Sequence, residues 1–171
     1  MLRATFPRYE YRRNLPHYQK DERPLFVTFR TYSHLILAPE ARSIALKHCL
    51  HDHGRRIRLH IAVIMPDHVH LLFTALRDSE GWTFAIPEIL KAIKGTSARS
   101  INKLTGRNGP VWQDESFDHV LRGNESFRET VDYIRQNPVR KGLVQKPEDY
   151  PWLWVEEEFA AECGAGNPTV R

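Results

Sequence analysis

Two apolar runs joined by a very short link constrain the fold more than any other feature of this sequence. RLHIAVIM (58–65) and HVHLLFTAL (68–76) are rich in aliphatic and β-branched residues, and Pro66 and Asp67 separate them. Short apolar runs bounded by turn residues are typical of buried strands. A link of this length joins two strands as an antiparallel hairpin, although it lacks the favoured Asn-Gly pair. We therefore expect an antiparallel sheet at the centre of the fold.

The segments around this hairpin alternate between strand and helix patterns. In chain order, the other predicted elements are a strand at 25–32, a helix at 39–53, a helix at 87–105, a loop at 106–112, a short strand at 117–121 and a helix at 125–137. Pro138 is expected to end the last helix, because proline donates no helical hydrogen bond and disfavours helical backbone in the residue before it. This order predicts an α+β fold with a ferredoxin-like (split βαβ) antiparallel sheet and helices packed mainly on one face.

Length and charge set the domain organisation and the class of partner. The 171 residues suit one globular domain with a sizeable core. We expect a basic N-terminal arm over residues 1–24, a single domain over 25–154 and a partly disordered C-terminal tail over 155–171. The chain has 25 Lys and Arg against 21 Asp and Glu, a net charge of +4. A mildly basic domain is compatible with a polyanionic partner without proving one.

Cysteine usage and hydropathy indicate the compartment. Cys49 and Cys163 are far apart in sequence, and neither has the spacing of a metal site. We interpret both as free thiols in a reducing compartment. The N-terminal stretch is polar and basic, without the apolar centre of a signal peptide, and no run approaches the ~20 apolar residues of a membrane span. We expect a cytoplasmic protein with no membrane partner.

Two histidines stand at the start of the second strand of the hairpin. Successive side chains of a strand point to opposite faces, so His68 and His70 share one face while Val69 and Leu71 pack on the other. Their β-carbons would lie about 6.5–7 Å apart. Two imidazoles can converge on one cation across that gap, since a metal–nitrogen bond is about 2.1 Å long. The alternative is a pair of ordinary strand histidines near a turn.

A tyrosine and an asparagine share a second face of the predicted helix at 125–137. Phe127, Val131 and Ile134 cluster in a narrow arc that forms its core face. Tyr133 and Asn137 lie one turn apart, away from that arc. A phenol can supply an oxygen nucleophile, and an amide can supply a neutral oxygen ligand. The alternative is an amphipathic tyrosine at the edge of the core and an asparagine that caps the helix.

Four stretches together resemble a known family. The sequence is similar to the REP-associated tyrosine transposases, which belong to the HUH single-strand DNA nucleases within the single-tyrosine transposase superfamily, from about Pro16 to Trp152. The stretches that carry the resemblance are, in order, MPDHVHLLF, GPVWQDESFDHVLR, YIRQNPVRKGLV and PEDYPW. The residue before the histidines is often Asn in that family and is Asp67 here, so this chain has an additional carboxylate beside the predicted metal site.

The resemblance implies an enzyme that nicks single-stranded DNA. His68, His70 and Asn137 would hold a divalent cation, Mg²⁺ or Mn²⁺, although two imidazoles also suit Zn²⁺ and the residues do not fix the metal. Asn137 stands where related insertion-sequence transposases have Gln. Tyr133 would be the nucleophile and would form a 5′-phosphotyrosine bond that leaves a free 3′-hydroxyl. The implied partner is single-stranded or hairpin DNA from palindromic repeats, bound by a monomer, with a dimer as the alternative.

Basic residues are the predicted DNA contacts, because positive charge supplies affinity for phosphates. For each of them the alternative is a solvated surface charge. The candidates are Arg12, Arg13, His17, Lys91, Lys94, Arg99, Lys103, Arg135, Arg140 and Lys141. Trp112 and Gln113 are interpreted as structural, and Trp152 and Trp154 as lid or core residues. His60 is the remaining histidine expected nearest the site.

Two rival functions remain open on the sequence. The first is a non-catalytic hairpin-DNA-binding protein on the same fold, for which the combination of His68, His70 and Tyr133 would be unnecessary. The second is a metal-dependent RNA-binding or RNA-cleaving protein, because this sheet topology also serves RNA recognition. A covalent protein–DNA adduct would separate the transposase from both.

Overall fold

In the computed structural model, residues 23–158 are described, apart from the side chain of Glu125. Before them, the backbone of two short strands is described, β1 (Arg12–Arg13) and β2 (Leu15–Pro16), which pair antiparallel. The basic arm predicted over residues 1–24 therefore contains a short strand pair. The last thirteen residues of the predicted tail, 159–171, lie outside the described part.

The core of the fold is a five-stranded antiparallel sheet in the order β6-β3-β5-β4-β7. Its elements along the chain are β3 (Leu25–Thr31), α1 (Pro39–His51), β4 (Ile57–Ile64), β5 (His68–Ala75), α2 (Ile86–Thr105), β6 (Trp112–Val120), α3 (Asn124–Arg140) and β7 (Leu153–Val155). Strand β5 lies between β3 and β4, so β3-α1-β4 is a split βαβ unit and α2 leads to the outer strand β6. The predicted α+β, ferredoxin-like fold is confirmed.

Alternating side chains give each face of the sheet its own core. Helices α1 and α2 pack on one face, against residues that include Val27, Phe29 and Leu71. Helix α3 packs on the other face over β4 and β5, where Val63 and Leu72 meet its apolar side. The helices are thus mainly on one face, as expected, and α3 covers part of the opposite one.

Strand β6 is longer than predicted. It begins at Trp112 instead of 117, within the segment expected to be a loop. The Trp112 side chain is buried, its Nε1–H donates to Ser97 Oγ at 2.9 Å, and its ring lies perpendicular to Phe29 at 5.0 Å. Gln113 Nε2 donates to the Thr31 carbonyl at 3.2 Å. These contacts support the structural interpretation of Trp112 and Gln113.

Helix α3 continues past Pro138 to Arg140, so the prediction that Pro138 ends it was wrong. The missing proline N–H leaves a single carbonyl without its helical partner, close to the helix end where carbonyls need other partners anyway. The helix closes where Gly142 N–H donates to Val139 O and Leu143 N–H to Pro138 O, with Gly142 at φ 68°. This pair of bonds is the Schellman arrangement, and it satisfies the last carbonyls.

The C-terminal segment adds a fifth strand and packs both of its tryptophans. Trp152 lies under the Arg42 guanidinium at 3.7 Å, and Trp154 meets the His53 ring at 5.2 Å. Both are half-buried against the α1–α2 core, which agrees with a packing role. Strand β7 itself was not predicted.

The structure bears on the expectations about the cysteines and about membrane-spanning segments. Cys49 is a buried free thiol, and burial raises its pKa to about 12. Cys163 lies outside the described residues. Within the described part, no helix combines the length and the apolar character needed to cross a bilayer.

Candidate active site

The histidine pair lies at the start of the central strand, on the face covered by α3. Strand β5 begins at His68 directly after the Pro66-Asp67 link, and alternation turns His68 and His70 to the same side. Their ring centroids are 4.7 Å apart, and both side chains are buried. The predicted shared face is therefore present, with the two rings close enough to converge on one ligand.

Each histidine has its Nδ1 held by a neighbouring oxygen. His68 Nδ1 lies 2.6 Å from Asp67 Oδ1, and His70 Nδ1 lies 2.7 Å from Thr28 Oγ1. Asn137 Nδ2 donates to His70 Nε2 at 3.2 Å, so the His70 proton belongs on Nδ1, where it is donated to Thr28. Hydrogen bonds of this kind orient metal-binding histidines and leave Nε2 for the ion.

The surroundings keep His70 uncharged. Burial lowers the pKa of His70 to about 3, and electrostatic interaction with His68 and Arg30 acts in the same direction. Burial alone would raise the pKa of Asp67, but its hydrogen bond from His68 and the nearby positive charge outweigh that effect and hold it below the usual range. Near neutral pH the site therefore contains a neutral imidazole and an ionised carboxylate, the protonation states that metal binding requires.

Helix α3 brings Tyr133 and Asn137 to the histidines. Val131 and Ile134 are buried and anchor the helix on the sheet, while Asn137 is buried beside His70 and Tyr133 is 40% exposed. The Tyr133 ring centroid lies 5.6 Å from that of His70. The predicted grouping of two histidines, one phenol and one amide thus exists within a single chain.

Two further side chains hold the ring of Tyr133. Phe26 meets it edge-on at a centroid distance of 6.0 Å, and the guanidinium carbon of Arg140 lies 5.2 Å from its centroid. A cation over an aromatic face is attracted to the ring quadrupole. The nucleophile candidate is therefore held by packing on one side and a positive charge on another.

The residues present fit a divalent cation. Asn137 Oδ1 is buried and has no hydrogen-bond partner. A buried oxygen acceptor without a partner is unfavourable, and a cation bound beside the two imidazoles would satisfy it. In residues 23–158 there is no cluster of three or more His, Cys, Asp or Glu able to hold a metal, so the ligand set would be two nitrogens and one amide oxygen. Such a sparse set leaves most coordination positions open, as a catalytic ion needs.

Of the predicted DNA contacts, those on α3 lie nearest the site. Arg140 contacts Tyr133, whereas Arg135 is paired with Glu148 at 2.9 Å. Lys141 is exposed just after the helix end.

The predicted contacts on α2 lie on the other layer of the protein. Lys91, Arg99 and Lys103 are exposed, and Lys94 donates to Asp114 O at 2.8 Å and to Ser116 Oγ at 3.2 Å. Because α2 packs on the sheet face opposite the histidines, these four residues are not part of the same cluster as Tyr133.

The predicted contacts in the arm fall beyond the described side chains. His17 lies outside the described residues, and only the backbone of Arg12 and Arg13 is described.

His60 does not belong to the site. It shares the α3 face but bonds Thr74 at 2.9 Å and Glu156 at 3.1 Å. Thr74 is four residues along β5 from His70, about 13 Å at the usual rise of a strand. The expectation that His60 lies near the site was therefore wrong.

Sequence reasoning missed three side chains around the histidines. Thr28 and Arg30 of β3 stand directly opposite His70 and His68, and Phe26 of the same strand tilts against the His70 ring at 5.5 Å. Their alternation in LFVTFRT placed all three on one face, but assigning that face required the strand pairing.

Comparison with known proteins places this chain in a family. A sequence model described as "Transposase IS200 like" matches residues 26–137, which include both histidines, Tyr133 and Asn137. A REP-associated tyrosine transposase of Escherichia coli is 28% identical over 106 residues, 62% of this chain and 59% of that protein. A Haemophilus influenzae protein whose name places it in the same group is 26% identical over 117 residues, 63% of this chain and 66% of that protein. The chain thus spans about three fifths to two thirds of the length of these relatives.

A solved structure and a shorter match agree with this placement. The structure of a REP-associated tyrosine transposase bound to a REP hairpin superposes with a TM-score of 0.63 at 22% identity, over 95% of this chain and 94% of that one, which shows a shared fold. The ISDra2 transposase TnpA of Deinococcus radiodurans is 40% identical over 70 residues, 40% of this chain and 46% of that protein. The chain belongs to the IS200-like transposase family, and its relatives there include the REP-associated tyrosine transposases.

Proposed function

We propose that this protein is a metal-dependent single-stranded DNA endonuclease and strand transferase that acts on palindromic-repeat hairpins through a 5′-phosphotyrosine intermediate. The observation that carries the proposal is the position of the Tyr133 ring, 5.6 Å from the ring of His70, on the side of the histidine pair that Asn137 approaches. A pure binding protein would not need a half-exposed phenol beside two oriented imidazoles. The solved relative with the same fold is bound to a REP hairpin, which supports hairpin DNA as the substrate.

The chemistry assigned to each residue follows from its surroundings. His68, His70 and Asn137 would hold a divalent cation, Mg²⁺ or Mn²⁺. When bound, such an ion polarises a non-bridging phosphate oxygen and offsets the charge that develops in the transition state. Thr28 and Asp67 orient the imidazoles through Nδ1. Burial keeps His70 unprotonated.

Tyr133 performs the covalent step. Its oxygen attacks phosphorus, the bond from phosphorus to the 3′-oxygen breaks, the phenol proton goes to solvent and the departing oxygen takes up a proton as a 3′-hydroxyl. The side chain is 40% exposed, so both solvent and DNA can reach it. The Arg140 guanidinium carbon lies 5.2 Å from the centroid of the ring, so a positive charge stands beside the nucleophile. Attack of a 3′-hydroxyl on the phosphotyrosine reverses the step and joins strands, and no nucleotide cofactor is consumed.

The first test is a covalent-adduct assay. Labelled single-stranded hairpins from repeats beside the gene are mixed with protein in Mn²⁺ or EDTA and run on a denaturing gel. We expect an adduct that requires metal and is lost in Tyr133→Phe, which removes the nucleophile and keeps the ring packing. Tyr32→Phe is the matched control, because Tyr32 is another exposed phenol, and it should still form the adduct. Tight metal-independent binding without any adduct would instead establish the non-catalytic hairpin-binding protein.

A monomer is the proposed functional unit, because one chain contains all four side chains of the site. The check is a mixture of two inactive variants, Tyr133→Phe and His70→Ala. A monomer gives no adduct from the mixture. Restored adduct formation would mean that one copy's tyrosine serves another copy's histidines, and a dimer would replace the monomer.

A further inference from the structure

An open strip of sheet lies beside the proposed active site. Helix α3 packs over β4 and β5, while the same face of β3 and β6 carries side chains that stay accessible. Phe117 of β6 stands directly opposite Thr28 of β3, and Thr28 stands directly opposite His70 of β5. Directly paired residues in a sheet point to the same face, so Phe117 faces the side of the histidines, two strands or about 10 Å away.

Phe117 is 53% exposed, although it lies within a nine-residue strand. Its ring meets Phe26 edge-on at a centroid distance of 6.5 Å, and Phe26 in turn meets Tyr133 at 6.0 Å. The three aromatic rings form a continuous row that leads from the nucleophile to an accessible ring. A base one or two nucleotides from the phosphate at Tyr133 can reach the end of that row.

Arg30 supplies a positive charge on the same strip. It is exposed and stands directly opposite His68, so it lies on the same face as the histidines. Among residues 23–158 its guanidinium has no hydrogen-bond or ion-pair partner. A guanidinium that makes no hydrogen bond or close ion pair within residues 23–158, next to the predicted metal ligands and two positions along β3 from Thr28, suits a backbone phosphate.

We propose that Phe117 and Arg30 form a binding subsite for one unpaired nucleotide next to the scissile phosphate, with its base stacked on the Phe117 ring and its phosphate bound by Arg30. The subsite deepens the proposed function and rests on it for the position of the scissile phosphate. Stacking on an aromatic face is tolerant of base identity, because every base has a π surface. The subsite thus distinguishes unpaired from paired nucleotides and does not read sequence.

The test measures binding in a Tyr133→Phe background, so that it does not depend on cleavage. Two hairpins are compared, one blunt and one with unpaired nucleotides at its foot, the latter also made with 2-aminopurine in the flank. We expect Phe117→Leu to weaken binding of the flanked hairpin about 5- to 150-fold, the range for one stacked base, and to leave the blunt hairpin unchanged. Phe117→Trp should retain the affinity and the quenching of 2-aminopurine that Phe117→Leu loses.

Two controls complete the design. Trp82 is 46% exposed and lies beyond the opposite end of β5 from His68, so Trp82→Leu should leave both affinities unchanged. Arg30→Gln should reduce the slope of log affinity against log salt by about one for the flanked hairpin. The subsite is refuted if Phe117→Leu weakens both hairpins equally or neither, or if it changes the sedimentation of the free protein, which would make Phe117 part of a contact between copies. If no covalent adduct forms but the binding results are as expected here, the nuclease proposal is refuted and the subsite is retained.

Discussion

Both ring nitrogens of His70 are engaged by neighbours from different elements. Thr28 of β3 lies at Nδ1, and Asn137 of α3 donates to Nε2. Burial keeps the ring neutral, so the proposed ion would meet a lone pair at Nε2 next to the unpaired Oδ1 of Asn137. His70 is thus the residue through which the sheet and the helix are combined into one site.

The Thr28 hydroxyl should set the affinity of the site for metal. Thr28→Val has nearly the same shape but cannot accept the hydrogen bond from His70 Nδ1–H. The imidazole ring therefore loses its fixed orientation. Loss of such an outer partner typically lowers metal affinity about 10- to 100-fold. Titration calorimetry with Mn²⁺ measures the change. Thr28→Ser keeps the hydroxyl and should bind almost as the wild type does, whereas equal weakening in both variants would contradict the role assigned to the hydroxyl.

Sequence periodicity predicted four side chains of this site and missed three others for a physical reason. A period of two placed His68 and His70 on one face, and a helical period placed Tyr133 and Asn137 one turn apart. Thr28 and Arg30 approach the histidines only because β3 pairs with β5 in one particular register. The register of this strand pair depends on contacts between residues 38 or more positions apart in the chain, such as Arg30 with His68. A local sequence pattern therefore cannot predict the register.

At the scale of elements, the ends of strands and helices were the least predictable. The Gly-Pro signal at 109–110 favours a loop, yet β6 begins two residues later because Trp112 is buried against Phe29 and Ser97. Strand β7 is three residues long and follows Pro151 closely, so it has too little pattern to detect. In both cases tertiary burial decided the outcome over local propensity.

The C-terminal segment supports the hairpin from outside. Tyr150 Oη donates to the carbonyl of Ile64 at 2.8 Å, and Arg42 donates to that hydroxyl at 3.3 Å. Ile64 is the last residue of β4, so this bond holds the chain immediately before the turn that carries Asp67. Residues that contact no part of the site thus fix the turn from which His68 starts.

Two glycines at helix-related positions should respond to alanine in opposite directions. Gly142 closes α3 at φ 68°, where a β-carbon is strained, so Gly142→Ala should lower the free energy of unfolding by about 1 kcal/mol. Gly95 lies inside α2 with open space where a β-carbon would stand. Gly95→Ala should therefore raise the free energy of unfolding by about 0.5–1 kcal/mol. Urea unfolding of both variants measures the two shifts. Two changes of the same sign would contradict this assignment.

At the scale of the whole molecule, the acidic residues after β7 fold back onto the sheet. Glu156 bonds His60, and Arg58 bonds both Glu156 and Glu158. These acids therefore lie away from the histidine site, at the far end of β4 and β5. Their charge is compensated there, which leaves the positive charges near Tyr133 unopposed by this segment.

His60 should make stability depend on pH. Burial lowers its pKa in the folded state, and the hydrogen bond to Glu156 only partly opposes this. As the pH falls through 6.5, the unfolded chain takes up a proton that the folded chain does not, so stability decreases down to the lowered folded pKa. One such group contributes at most about 1.4 kcal/mol per pH unit.

Denaturant unfolding between pH 5 and 8 measures this contribution. The His60→Gln variant should show a shallower decrease below pH 6.5 than the wild type. His51→Gln, which removes an exposed imidazole, controls for the loss of a histidine as such. Equal slopes for the wild type and His60→Gln would show that burial of His60 does not contribute.

The location of the histidines has a consequence for motion. Strand β5 is hydrogen-bonded along both edges, between β3 and β4, so its amides should be among the last to exchange with deuterium. Tyr133 is carried by a helix that contacts the sheet from one side only, through its apolar face. The protein thus holds its predicted metal ligands where displacement would require the sheet to open, and holds the proposed nucleophile on an outer layer that is packed on one side only.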